Sequence, residues 1–201
     1  KKREGLFNDY KANRPKMADE NFFDMMNELK MFLKAMGAYV VEKEGFEADE
    51  LIAILTRRFA KEGKKVIIIS DDSDLFQLTE YDNVEIHTSH GVITRKELLA
   101  EYGIYGRDFM LAKVLAGDKA DNIPPVEKGM GLKTASRVVR MGKLRAYEGM
   151  EEFERNKSLI NLLDLEETEI ELIKHEKNLN VASSILIRYR MNSLLKTKGV
   201  I

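Results

Sequence analysis

"KVIIISDDSDLFQL", residues 65–78, sets four consecutive β-branched residues directly against three aspartates. A short unbroken apolar run of this kind predicts a strand buried on both faces of a parallel sheet. In open α/β sheets, ligands bind in the crevice beyond the carboxyl ends of the strands, so Asp71, Asp72 and Asp74 stand where chemistry is done. A solvated turn explains one aspartate there more readily than three. The rest of the stretch, from Asp71 onward, turns into a short helix.

Working back toward the amino terminus, Ala48–Ala60 predicts a helix with Leu51, Ile52, Leu55 and Phe59 on its buried side, closed by Gly63. "AYVV" (38–41) reads as a short strand. Asp19–Met36 reads as an amphipathic helix, with apolar residues at Phe22, Met25, Met26, Leu29, Phe32, Leu33 and Met36 and a stop at Gly37. Toward the carboxyl terminus, "NVEIHT" (83–88) predicts a further strand. Thr94 and Glu97 form a capping box for a helix ending near Tyr102. Helices follow at about Arg107–Ala116 and 132–141, and beyond Glu148 the pattern is helices joined by polar turns. The expected architecture is an α/β part over 1–104 and a helical part over 105–201.

At 201 residues the chain is long enough for one good core, with or without a small subdomain. A content of 44% hydrophobic and 33% charged residues fits a soluble globular protein. No run approaches the roughly 18 apolar residues of a membrane span, and no signal-peptide pattern is present. The absence of cysteine excludes disulfides, thiolate zinc sites and cysteine nucleophiles, and His87, His90 and His175 lack metal-ligand spacing. Any metal site is therefore carboxylate-rich and suited to Mg²⁺ or Mn²⁺.

Two further acidic clusters join the first. "FEADE" (46–50) places Glu47, Asp49 and Glu50 at a helix start, where the helix dipole alone would favour them. "GDKAD" (117–121) places Asp118 and Asp121 at a helix end, where a capped turn would also account for them. Taken together the three clusters need cations, because gathered like charges disfavour one another's ionised forms. Two divalent ions would neutralise them and would suit phosphodiester hydrolysis, with the ions about 3.5–4 Å apart.

The net charge of −1 argues against a general nucleic-acid coat, but the distribution is uneven. Lys128, Lys133, Arg137, Arg140, Lys143 and Arg145 follow one another without an acidic residue between them. In "GMGLKTASRVVR" (129–140), Gly129 and Gly131 allow close backbone approach, and the helix amides behind them point at an anion. A helix-packing elbow is the plain alternative. Lys11, Arg14 and Lys16 in "DYKANRPKM" (9–17) form a basic loop.

The ordered set "YKANRP", "FEADE", "SDDSDLFQL" and "LAGDKADNIPPVEKGMGLKTA" resembles the 5′ nuclease family of 5′–3′ exonucleases and flap endonucleases. That family includes phage exonucleases and the amino-terminal domain of bacterial DNA polymerase I. "FERNKSLINLLDL" (153–165) is similar to a later helical segment of the same family, so the resemblance runs from about Tyr10 to Leu165. It implies a PIN-like parallel sheet flanked by helices, with a helix-three-turn-helix at about 107–141. It implies that Lys11 and Arg14 face the scissile phosphate from the base of a helical arch. Glu47, Asp49, Glu50, Asp72 and Asp74 would be metal ligands, and Asp118 and Asp121 would complete a second metal position. Lys16, Lys128, Gly129, Gly131, Lys133, Thr134 and Arg137 would grip duplex DNA, and the loop from Ile123 to Thr134 would hold K⁺ through carbonyls.

Departures from the family pattern are specific. Glu50 replaces the second of two paired aspartates, Asp71 stands where glycine is usual, and Pro125 and an extra residue near Lys128 alter the 123–134 loop. The family's opening strands, with an early metal aspartate, do not precede "YKANR". The expectation is thus a metal-dependent, structure-specific 5′ nuclease acting on branched, 5′-flap or nicked DNA in a bacterial or phage-infected cytoplasm. Its missing strands are expected from an amino-terminal segment or a second polypeptide. A non-catalytic DNA-binding remnant and a PIN-like ribonuclease are the competing readings.

Overall fold

The run Val66–Ile69 does form a strand (β1), and it lies parallel to β2 (Val84–Thr88) with Ile68 opposite Ile86. A hairpin then returns as β3 (Gly91–Ile93), antiparallel to β2. The sheet is therefore mixed and three-stranded, in the order β1-β2-β3, rather than wholly parallel. A computed structural model supplies this architecture and describes residues 3–5, 7–13 and 20–196.

Two units divide the chain, one of residues 1–14 and 43–168 and the other of 15–42 and 169–201. The expected boundary near residue 104 falls inside the first unit. There, α2 (Ala48–Lys61) precedes β1, and a 3₁₀ segment (Ser73–Glu80) follows it. After the hairpin come α3 (Arg95–Tyr102), α4 (Gly106–Ala116), α5 (Leu132–Arg140) and α6 (Glu151–Ile160). The capping box at Thr94 forms as expected, and Gly103 ends α3 in the left-handed conformation.

One core runs through this unit. Ile68, Val84 and Ile86 from the sheet meet Leu75 and Leu78 of the 3₁₀ segment, Met110, Val114 and Leu115 of α4, and Phe153 and Leu159 of α6. The buried Gln77 stitches the layers, since its Nε2 donates to Ile160 O at 3.0 Å and its Oε1 accepts from Leu162 N at 2.8 Å.

The double burial expected of β1 is not observed. Only Ile68 is buried, while Ile67 and Ile69 are 50% and 85% exposed. Val66 N donates to Asn83 O and Ser70 N to His87 O, so alternation turns the main-chain groups of Ile67 and Ile69 away from β2. The other edge of β1 pairs with no strand among the described residues.

In the second unit, α1 (Glu20–Ala35) packs on α7 (Leu179–Arg188). Asn178 N donates to Ala35 O at 2.8 Å, and Arg188 pairs with Glu28. The apolar stripe expected on α1 is only partly covered, since Met25, Leu29 and Leu33 are exposed. The strand expected at 38–41 is an irregular segment, because no partner strand lies beside it among the described residues. No described helix is long and apolar enough to cross a membrane.

Candidate active site

The amino terminus of α2 holds the first acidic cluster around a buried cation that the motifs did not single out. Arg3 Nη1 lies 2.7 Å from Asp49 Oδ2 and 3.8 Å from Glu47 Oε2, and its Nε lies 3.7 Å from Glu50 Oε1. Burial opposes the charge on Arg3, but the Asp49 carboxylate beside it outweighs that, and its pKa is held above its ordinary value. Glu50 turns back to accept from Glu47 N at 2.7 Å, which seats both carboxylates at the helix start. Glu47 Oε1 is buried without a hydrogen-bond partner.

Lys11 reaches the same cluster from a segment clamped by the 117–123 loop. Its amide donates to Asp121 O at 2.9 Å, Asn122 Nδ2 donates to Asp9 O at 2.9 Å, and Asn13 Nδ2 donates to Lys119 O at 3.0 Å. Lys11 and Asn122 both take left-handed backbone conformations to make this clasp. The Lys11 ammonium pairs with Glu47 Oε2, lies 3.8 Å from Asp121 Oδ2 and sits over the Tyr10 ring. Desolvation opposes its charge, and Glu47 with Tyr10 overcomes that, so its pKa is raised.

The other two clusters meet at Lys113 on the inner face of α4. Its Nζ pairs with Asp74 Oδ1, lies 3.1 Å from Asp118 Oδ2 and donates to Ser73 Oγ at 2.9 Å. Two carboxylates share one ammonium, leaving a formal charge of −1 on the trio. Burial pushes Asp74 up despite Lys113. Asp118 is also opposed by burial, but Lys113 and the amides of Ala120 and Asp121 hold it down. Asp72 caps the 3₁₀ segment, accepting from Asp74 N at 2.9 Å, and its side chain is exposed.

Glycine and asparagine fix the loop that carries Asp118 and Asp121. Gly117 has φ +69°, and a Cβ there would lie 2.4 Å from Ile123 O, so the closure of the loop on itself needs glycine. The fully buried Asn156 donates to Val114 O at 3.0 Å and to Pro124 O at 2.8 Å, locking α4 and the loop to α6.

The predicted ligands thus fall into bridged sets. Lys11 links Glu47 with Asp121, Lys113 links Asp74 with Asp118, and Arg3 gathers Glu47, Asp49 and Glu50. Among the described residues, no group of three or more acidic or histidine side chains is arranged to hold a metal ion. Asp71, the extra acid of the motif, points elsewhere and binds Ser89. Arg14 and Lys16 lie outside the described residues.

The expected DNA face is displayed by the turn before α5 and by α5 itself. Lys128, Gly129, Gly131, Lys133, Thr134 and Arg137 are all exposed, while Ala135 and Ser136 face inward. Gly129 has φ +85°, which accounts for glycine there. Gly131 has an ordinary φ of −86°, and a Cβ would meet nothing within 4 Å, so neither backbone strain nor packing within the chain requires it.

Sequence reasoning missed Arg3 and Lys113. For Lys113 a signal was present: a lysine flanked by Ala112 and Val114 in an inward-facing apolar stretch, five residues before Asp118. Such a lysine is rarely buried unless paired.

Comparison with known proteins places the chain among 5′–3′ exonucleases. The family description "5′-3′ exonuclease, N-terminal resolvase-like domain" matches residues 1–103. The chain is 33% identical over 213 residues to a 5′-3′ exonuclease of Aquifex aeolicus, covering 97% of this chain and 73% of that protein. It is 38% identical over 131 residues to the thermostable DNA polymerase I of Thermus thermophilus, covering 65% of this chain and 16% of the polymerase. The bacteriophage T5 D15 flap endonuclease, solved as a pseudo-enzyme–product complex with DNA and metal ions, shares the fold at a TM-score of 0.66 and 20% identity. That match covers 80% of this chain and 70% of the phage protein.

Proposed function

The chain belongs to the 5′–3′ exonuclease family of structure-specific 5′ nucleases, and we propose that it hydrolyses phosphodiester bonds near the 5′ ends of branched, 5′-flap or nicked DNA in a cytoplasm. The observation that carries this reading is the convergence of the three acidic clusters, bridged by Lys11 and Lys113, in a unit that also displays the basic helix α5.

The donor set suits hard divalent ions. Every acid in the crevice offers oxygen, and the unpartnered, buried Glu47 Oε1 is an acceptor awaiting a cation. Glu47, Asp49, Asp72, Asp74, Asp118 and Asp121 are the residues that would hold Mg²⁺ or Mn²⁺. Such ions, when bound, supply an activated water and positive charge for an in-line displacement. Divalent zinc bound to the T5 5′-exonuclease, a protein of similar fold, supports the assignment.

The chain's own groups supply the rest. Lys11, fixed by the clasp to the 117–123 loop, presents a cation to the scissile phosphate. Lys133 and Thr134 take the duplex backbone at the start of α5, where the helix dipole favours an anion, and Arg137 adds a charge from the last turn of the same helix. Gly131 leaves room for that backbone, and carbonyls of the 123–134 loop are the proposed seat of K⁺.

The open edge of β1 is proposed as the seat of one more strand, brought by an amino-terminal segment of the family's kind. Exposed Ile67 and Ile69, and an edge of β1 that pairs with no strand among the described residues, support it. Co-expression with such a segment, about 70 residues by analogy with ordinary domain sizes, should raise thermal stability and cleavage together.

The deciding experiment is Mg²⁺-dependent cleavage of a labelled 5′-flap duplex by this chain, alone and with that segment. Cleavage near the flap junction is expected. Duplex binding without cleavage in either case would favour the second reading, a non-catalytic DNA-binding protein, for which the lack of a three-acid group among the described residues speaks.

A further inference from the structure

Lys113 is 5% exposed, on a helix whose other inward residues include Phe109, Met110, Ala112, Val114 and Leu115. An ammonium in such surroundings is costly unless its donors are satisfied. Here they are, by Asp74 Oδ1, by Asp118 Oδ2 at 3.1 Å and by Ser73 Oγ at 2.9 Å. The two carboxylates come from different parts of the chain, one just after β1 and the other after α4. Without a cation between them, the buried Asp74 and the half-buried Asp118 would be left mutually repelling.

We propose that Lys113 is the resident counter-cation of the acidic crevice, holding Asp74 and Asp118 together in the metal-free chain and competing with divalent ions for the same two carboxylates. The proposal rests on the reading that the crevice takes divalent metal, and it makes Lys113 a positioning residue that sets metal affinity. One ammonium against two carboxylates leaves the site attractive to a further cation. The same ammonium also repels a dication at close range, so affinity is traded for stability of the metal-free fold. A lysine suits this role better than an arginine, because its charge is compact and its four-carbon stem can swing.

The test compares the 201-residue chain with its Lys113→Met and Lys113→Arg variants. Thermal unfolding is followed in EDTA and in graded Mg²⁺, and Mn²⁺ binding by calorimetry. In EDTA, Lys113→Met should melt lower than the parent by about 5 °C or more, since an uncompensated buried pair of acids is left behind. Lys113→Arg should melt close to the parent. Mn²⁺ should bind Lys113→Met on the order of tenfold more tightly than the parent. Mg²⁺ should also raise the melting temperature of Lys113→Met more.

If Lys113→Met is unfolded in EDTA, adding Mn²⁺ should fold it. Its failure to fold with Mn²⁺ while Lys113→Arg folds normally would make Lys113 a purely structural lysine and overturn the proposal. Equal Mn²⁺ affinity in parent and Lys113→Met would overturn it as well. No Mn²⁺ response in either protein would overturn the divalent reading itself, and the proposal with it.

Discussion

Asp71 Oδ1 accepts two hydrogen bonds from Ser89, from its amide at 2.7 Å and from its Oγ at 2.9 Å, tying the end of β1 to the β2–β3 turn. These bonds hold the Asp71 carboxyl below the usual carboxylate range. The acid that stands in place of the family's usual glycine is therefore a clamp on the hairpin. Asp71→Ala should speed hydrogen exchange at the Ser89 amide and leave Mn²⁺ affinity unchanged. A large loss of affinity would make Asp71 a metal ligand and not only a clamp.

Asp72 and Asp74 sit at the start of the 3₁₀ segment, and α5 presents its cations on a separate helix. Asp72→Asn combined with Asp74→Asn should abolish flap cleavage while duplex binding in Ca²⁺ or EDTA persists. A gel-shift and cleavage series on one substrate reads both. Undiminished turnover in the double variant would remove these residues from the chemistry.

Lys133 and Arg137 are exposed on α5. Replacing both with Ala should weaken binding to unrelated duplexes about equally. The slope of log affinity against log salt should flatten by up to about 0.9 per lost phosphate contact. An unchanged slope would mean that DNA does not touch this face.

Arg107 and Asp164 form a two-pronged ion pair at 2.8 and 2.9 Å, and Asn161 adds a third hydrogen bond. The Arg107 bonds, only partly opposed by desolvation, hold the Asp164 carboxyl down at about 2. A depressed carboxyl contributes stability that is complete above its unfolded value, about 3.9, and is lost as pH falls through the folded value. Asp164→Asn should therefore lower the melting temperature at pH 7, and the gap from the parent should close between about pH 4 and pH 2. A gap that is constant with pH would place the effect elsewhere. Half-exposure of both side chains keeps it small, within about 1 kcal/mol.

Much of the fold was legible because it is written in local chemistry. The apolar spacing of α2, the Thr94–Glu97 cap and the β-branched run of β1 each constrain their own neighbourhood. The acidic positions were legible for the same reason, since each cluster ends an element. What escaped depends on distant partners. Ile67 and Ile69 look like core residues in sequence, and their exposure is set by what lies beside β1. Ala38–Val41 has strand-like residues but no strand to pair with. Arg3 enters the site only because the chain folds its opening turn onto residues 47–50, more than forty positions away. The apolar neighbours of Lys113 mark it as inward-facing, but its partners Asp74 and Asp118 are set by how the 3₁₀ segment and the 117–123 loop close over it.

The clasp between residues 9–13 and the 117–123 loop also sets when the site can exist. Asp9 meets Asn122 across 113 positions, and Asn13 meets Lys119 across 106. On a ribosome adding about 5–20 residues per second, Lys11 is made some 5–20 seconds before its anchor at Asp121. Until then its left-handed turn lacks the Asp121 carbonyl, and its ammonium has Glu47 and the Tyr10 ring but not Asp121. The nascent chain therefore passes through a period in which α2 and β1 can fold but the crevice cannot close. The proposed site therefore closes only after residue 121 has been made, and any premature stop before residue 118 leaves a chain that has Glu47 and Asp74 but lacks Asp118 and Asp121.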